Sequence, residues 1–176
     1  MQRDLTSEEI WNIHVQISQK EEKMIEGMDK VLEFLFKDHD IILLSDNDTL
    51  RAKAFLSSNG LLKYFTKIIS REMTITPNGK LEFEFMERTT CPLGGVFLCK
   101  GQELMDFIEG KNYQTVSYFA DGANDYCPVV KLTENDRVFP RKDFDLEQRI
   151  AKEGNVKAQV KGWTNGVDLL SLLMNQ

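Results

Sequence analysis

The stretch Ile41-Ile42-Leu43-Leu44-Ser45-Asp46-Asn47-Asp48-Thr49 decides how this chain is read. Four consecutive apolar residues give way at once to serine, aspartate and asparagine. An unbroken apolar run of this kind marks a parallel strand covered on both faces, because a half-exposed strand alternates apolar and polar residues. Before it, a helix is expected from about Met28, with Val31, Leu32, Leu35 and Phe36 as its apolar stripe. After it, Thr49 to Ser58 reads as a helix closed by Asn59-Gly60, a pair suited to a helix C-terminus. Helix, buried strand and helix in succession are the parts of an α/β fold.

The same pattern continues outward in both directions. Thr6 with Glu9 forms a capping-box signature, and Ile10, Ile13 and Ile17 recur at helical spacing behind it. Lys67 to Ser70 is a short strand, and Met73 to Phe85 alternates around Pro77-Asn78-Gly79, a hairpin signal. Gly101 to Glu109 is helical, with Leu104, Phe107 and Ile108 on one face. Val116 to Phe119 is a second buried strand, ending in Ala120-Asp121-Gly122-Ala123-Asn124-Asp125. Arg137 to Phe139 is a strand stopped by Pro140, and Asp143 is positioned to cap a helix carrying Leu146 and Ile150. Val156 to Val160 reads as a last strand, and Val167 to Met174 as a closing helix. Strands alternating with helices predict a mostly parallel sheet with right-handed crossovers in a single domain, the hairpin being its one insertion.

Composition narrows the functional classes. The 176 residues are 41% hydrophobic and 28% charged, a globular balance with ample length for a core. The net charge is −6 and no Lys/Arg cluster builds a basic patch, which argues against nucleic-acid binding. No apolar run approaches the roughly 20 residues that span a bilayer, so no membrane insertion is expected. The opening MQRDLTSEEIW lacks a signal-peptide core, so export is not indicated and a cytoplasmic location is expected. Cys91, Cys99 and Cys127 are too few and too unevenly spaced for a disulfide framework. With His14 and His39 they raise the question of zinc. The gap from Cys91 to Cys99 is too wide for a zinc knuckle and no second close pair exists, so no zinc site is expected.

Chemistry in an open α/β sheet sits beyond the carboxyl ends of the strands. Two buried strands here end in polar clusters, Ser45-Asp46 and Asp121 to Asp125. Two carboxylates and an amide around a glycine turn suit Mg²⁺, a hard cation bound by one or two carboxylates, water and substrate phosphate. The same residue types also make a plain turn. Ser45 precedes a helix whose free amides favour an anion, yet Ser45 or Asp46 also suits a simple helix cap. Lys100, just before a helix, fits a phosphate contact or an ordinary solvated position.

Taken together, Ile41 to Asp46, Cys99-Lys100-Gly101, Tyr118 to Pro128 (YFADGANDYCP), Val138 to Lys142 (VFPRK) and Trp163 to Asp168 (WTNGVD) resemble one branch of the haloacid dehalogenase superfamily. It is the branch of phosphoethanolamine/phosphocholine phosphatase and pyridoxal phosphate phosphatase. The similarity runs from about Gly27 to the end, in the same order. It implies a Rossmannoid three-layer α/β sandwich with a core over residues 27–176, and a remnant of the helical cap over residues 1–26. It also implies Mg²⁺-dependent phosphoryl transfer through an aspartyl-phosphate. Ser45 and Lys100 would hold phosphate oxygens, Asp46 would contact substrate, Asp121 would ligate Mg²⁺, and Asn124 and Asp125 would support the metal shell. Substrates implied are small phosphorylated metabolites: phosphoethanolamine, phosphocholine, pyridoxal phosphate or pyrophosphate.

The chain departs from the pattern in one decisive respect. The superfamily nucleophile lies in an Asp-x-Asp-x-Thr motif after an apolar strand, and no such segment precedes Ser45. Asp38-His39-Asp40 comes before a strand, and Asp143-Phe144-Asp145 follows a basic turn. Asp46-Asn47-Asp48-Thr49 follows a strand but places its threonine one position early. The resemblance therefore implies a chain shortened ahead of the nucleophile strand and inactive by itself. The alternative is a non-catalytic protein that keeps the phosphate and Mg²⁺ sites. Ala120 replaces the usual glycine, and the segment Leu93 to Leu98 ahead of Lys100 is longer than the branch leads one to expect.

Overall fold

The computed structural model describes residues 5–84 and 89–175. They divide into two compact units, one formed by residues 5–25 and 32–84, the other by residues 26–31 and 89–175.

In the first unit, α1 (Ser7–Glu21) starts at the Thr6 capping box: Thr6 Oγ1 accepts from Glu9 N at 3.2 Å, and Thr6 N donates back to the Glu9 carboxylate at 2.8 Å. The buried face is not the one the isoleucines suggested. Ile10 and Ser18 are buried while Ile13 and Ile17 are exposed, because α1 packs against α3 along an i, i+4, i+8 row. Helix α2 (Met28–Leu35), whose residues up to Val31 belong to the second unit, buries Val31, Leu32 and Leu35 as expected. Phe36 lies past the helix end, half exposed, and meets the Tyr64 ring edge-on at 5.4 Å.

Strand β1 runs from Ile42 to Asp48, well beyond the apolar run, and pairs in parallel with β2 (Lys67–Arg71). The polar tail stays extended because its backbone finds partners: Asp46 O accepts from Arg71 Nε at 3.3 Å, and Asn47 N donates to Ser45 Oγ at 3.2 Å. Ile42, Leu43 and Leu44 are half-buried, not enclosed on both faces; β2 is the only ladder partner of β1 among the described residues. Helix α3 (Thr49–Ser58) is capped by Asp48, whose Oδ1 accepts from Arg51 N at 2.8 Å, so neither Ser45 nor Asp46 serves as the cap. Leu32, Leu56 and Leu61 form the core here, with Leu43, Phe55 and Ile68 packed around them. The hairpin forms as β3 (Met73–Ile75) against β4 (Leu81–Phe83), turning through residues 76–80; the expected end at Phe85 lies outside the described residues. Thr49 Oγ1 accepts from Met73 N at 2.9 Å and ties α3 to this hairpin.

The second unit carries α4 (Lys100–Ile108) and a parallel ladder of β5 (Ser117–Ala120), β6 (Arg137–Pro140) and β7 (Gln159–Val160). Helices α5 (Tyr126–Val129), α6 (Asp145–Glu153) and α7 (Gly166–Met174) complete it. Val138 and Phe139 are fully buried, and Phe139 stacks on Phe119 at 4.8 Å. Pro140 does not stop β6: it pairs with Ala120, since its carbonyl still accepts from Trp163 N at 3.1 Å and only its missing N–H is lost to the ladder. Trp163 is core, its indole N–H donating to Phe139 O at 2.8 Å. Asp143 does not cap α6. Its φ of +67° puts it in the left-handed region, and its N–H donates to the Glu147 carboxylate at 2.7 Å, leaving Phe144 at the cap position.

Residues 26–31 are tied to α7 by a backbone crossing. Gly166 N donates to Glu26 O at 2.7 Å, Gly27 takes a φ of +76°, and a Cβ on Gly166 would lie 2.2 Å from the Gly27 carbonyl carbon. Because main chain and not a movable side chain blocks that space, Gly166→Ala is expected to lower stability by about 1–3 kcal/mol, as overpacking does. Urea denaturation checks this; an unchanged midpoint would mean that the backbones can part at no cost.

Candidate active site

Strand β5 delivers its polar cluster at the end of a short buried ladder. Asp121 follows Ala120 directly and is exposed; its carbonyl accepts from Leu146 N at 2.9 Å, which anchors the start of α6 against it. The Asp121 carboxylate makes no hydrogen bond or ion pair among the described residues. Residues Ala123–Asp125 then form one 3-10 turn leading into α5. Gly122 leaves room for these side chains: a Cβ there would stand 2.9 Å from Asn124 Oδ1 and 3.1 Å from Asp125 Oδ2, so the Asn124 amide would have to shift.

Asp125 is buried, and both its oxygens are engaged. Oδ1 accepts from Lys100 Nζ at 2.8 Å and from Tyr118 OH at 2.7 Å, while Oδ2 accepts from Gly122 N at 3.1 Å. Lys100 is itself buried, as the first residue of α4 and not in the linker before it. The structure thus brings Lys100, Asn124 and Asp125 around the turn that begins at Asp121. Ser45 and Asp46 lie on β1 in the other unit, Ser45 half-buried with its hydroxyl accepting from Asn47 N.

Oxygen donors at this turn suit a hard cation. The exposed Asp121 carboxylate and the Asn124 amide of the same turn could hold such an ion, and Asp125 braces the loop through Lys100 and Tyr118. Arg149 closes the other side, with Nη1 donating to Ala123 O at 2.8 Å and the guanidinium 4.7 Å from the centre of the Tyr126 ring. Burial, with repulsion from Glu153 and only partial relief from Arg149, pushes the Tyr126 phenol above its ordinary range; it donates to Gly154 O at 2.5 Å.

Two functional features escaped the sequence reading. One is the Lys100–Asp125 pair, whose members are 25 residues apart with no local signal joining them. The other is the meeting of the three cysteines. Cys127 Sγ lies 3.4 Å from Cys91 Sγ and 3.5 Å from Cys99 Sγ, although the wide spacing of Cys91 and Cys99 led to the expectation of no metal site there. Burial, together with contacts from Cys91 and Cys99, pushes the Cys127 thiol up to about 12. For Cys91, burial raises the thiol, but hydrogen bonds from the Leu93 backbone, Cys127 and Cys99 outweigh it and leave it below its usual value.

The Asp-x-Asp-like segment on β1 is occupied structurally, since Asp48 caps α3. No helix is long and apolar enough to cross a membrane among the described residues.

Comparisons with known proteins agree with the motif reading. The chain is similar to pyridoxal phosphate phosphatase PHOSPHO2 of Bos taurus, 29% identical over 159 residues covering 84% of this chain and 66% of the relative. It is also similar to phosphoethanolamine/phosphocholine phosphatase of Homo sapiens, 27% identical over 156 residues, covering 81% of this chain and 58% of that protein. The chain thus spans roughly three-fifths of the length of the curated relatives it matches. Among solved structures, cytosolic 5'-nucleotidase IIIB bound to cytidine superposes with a TM-score of 0.58 at 14% identity, over 99% of this chain and 59% of the other, a likeness of fold. A family profile described as "Putative Phosphatase" matches residues 2–176, nearly every position including the Asp121 turn, and the chain therefore belongs to that family, as its haloacid dehalogenase-type motifs led us to expect.

Proposed function

We propose that this chain supplies the phosphate- and magnesium-binding part of a phosphomonoester hydrolase acting on small phosphorylated metabolites. The observation that carries the proposal is the turn after β5, where an exposed Asp121 carboxylate, unengaged among the described residues, stands beside Asp125, a carboxylate used by Lys100, Tyr118 and Gly122. That division of labour is what a hard cation requires, one group to bind it and another to hold the loop still. When bound, Mg²⁺ would neutralise charge on the transferring phosphoryl group. Asp121 would ligate the metal, Asn124 and Asp125 would support its shell, and Lys100 would donate to a phosphate oxygen; Ser45, as a phosphate donor, and Asp46, as a substrate contact, keep the roles that the family resemblance implies. Lysine carries three donors, so its hold on Asp125 is compatible with a phosphate contact. Phosphoethanolamine, phosphocholine, pyridoxal phosphate and pyrophosphate are the substrates to test, the first three suggested by the names of the relatives.

Binding without turnover is the second reading. It is favoured by the fact that none of the 176 residues forms an Asp-x-Asp-x-Thr motif after an apolar strand, and that Asp48 serves as a helix cap. Calorimetric titration of Mg²⁺ in the presence of inorganic phosphate tests the site shared by both readings. Asp121→Asn is expected to weaken the Mg²⁺ affinity about tenfold or more, ~1.4 kcal/mol at least. Equal affinity in the variant would remove Asp121 from the metal site. Phosphate release from the four compounds by this chain alone is expected to be at the blank rate, and turnover would show that another nucleophile serves.

A further inference from the structure

We propose that Cys91, Cys99 and Cys127 form a zinc site, a thiolate clamp separate from the magnesium chemistry and not dependent on it. Their three Sγ atoms lie within 4.8 Å of one another, Cys127 being fully buried and the other two half-buried. The Sγ–Sγ separations of 3.4 and 3.5 Å fall far outside a disulfide, whose sulfurs are about 2.05 Å apart. They lie close to the edge of a zinc-thiolate tetrahedron, about 3.8 Å for Zn–S bonds near 2.3 Å. These two separations would open by only about 0.3 Å to admit the ion.

The backbone around the sulfurs is shaped for close approach. A Cβ on Gly94 would stand 3.3 Å from Cys99 Sγ and 3.4 Å from Cys91 Sγ, and one on Gly101 would stand 2.6 Å from Cys127 Sγ. The loop carrying Cys91 is folded back on itself, with Thr89 N donating to Val96 O at 2.9 Å and Thr89 Oγ1 to Gly95 O at 2.7 Å. Three sulfur donors select a thiophilic ion over Mg²⁺, and zinc is the commonest such ion with cysteine ligands. Water completes the fourth position, as in other zinc sites with three protein ligands.

The clamp has a structural consequence. Cys99 immediately precedes Lys100, and Cys127 follows Asp125 by two residues. A metal joining them would fix the start of α4 to α5 and hold the Lys100–Asp125 pair in register, with Cys91 anchoring the loop.

Tag-free 176-residue chain, reduced and stripped of metal, is titrated with Zn²⁺ and separately with Co²⁺. The expected result is about one zinc per chain retained through dialysis. Its three thiols should react with Ellman's reagent in the stripped protein and be protected once zinc is bound. The Co²⁺ form should show sulfur-to-cobalt charge transfer in the near ultraviolet. Cys91→Ser, at a half-exposed position expected to fold, should weaken zinc binding about tenfold or more and diminish that band. Asp121→Asn should leave both unchanged, which keeps the outcome distinct from that of the magnesium titration. Failure to retain zinc, zinc retention indifferent to Cys91→Ser, or equal thiol reactivity with and without zinc would each overturn the proposal.

Discussion

Replacing Lys100 with methionine is expected to lower the unfolding free energy by about 3–5 kcal/mol, the cost of leaving a buried carboxylate without its cation. Both partners are almost wholly enclosed, and Lys100 Nζ is 2.8 Å from Asp125 Oδ1. Water cannot take the place of the lost ammonium without opening the turn, and Tyr118 OH with Gly122 N would remain as neutral donors to a full negative charge. A surface ion pair would behave differently; the exposed Arg149–Glu153 pair on α6 should be worth only a few tenths of a kcal/mol. Chemical denaturation of Lys100→Met beside Lys100→Met/Asp125→Leu makes the test. The double variant should recover much of the loss, because a matched apolar pair carries no stranded charge. Equal loss in both would place the cost in packing and not in charge.

Phe139→Ala should cost a similar amount, about 3–5 kcal/mol, by a different route. Phe139 is fully buried in the middle strand of the β5–β6–β7 ladder, stacked on Phe119 with rings 13° from parallel. Removing the ring forfeits its burial and leaves a cavity that β5 and β7 cannot close without giving up ladder bonds. Its backbone carbonyl would still receive the Trp163 indole, so the loss reports on the ring alone. Val167→Ala, at an exposed position, is the control and should stay within about 0.5 kcal/mol. A drop for Phe139→Ala no larger than the control would mean that the ladder relaxes around the gap.

Much of this fold was legible because its signals are local. The Thr6–Glu9 capping box, the Asn78-Gly79 turn and the apolar runs at Leu43 and Tyr118 depend on neighbours within a few residues, and each formed where expected. The errors share a cause. The apolar run marks a strand that ends at Leu44, but Arg71, from the next strand, gives the polar tail a backbone partner and the strand runs on to Asp48. Asp143 looked like a cap, yet Glu147 takes its N–H and turns it aside. Ile13 and Ile17 fit a helical stripe, but which stripe is buried depends on α3. For the candidate site, residue types and order around Asp121 were visible in sequence. The engagement of Lys100 with Asp125 and the meeting of three cysteines were not, because both depend on α4 and α5 packing side by side.

The crossing of Gly166 over Gly27 bears on the order in which the second unit assembles. These residues are separated by most of the chain, and bringing them together costs about 4 kcal/mol of closure entropy before a single hydrogen bond repays it. The β5–β6 pairing spans a far shorter stretch, so it should precede the crossing. Gly166→Ala should therefore accelerate unfolding while leaving the refolding rate nearly untouched, the kinetic mark of a contact made after the barrier.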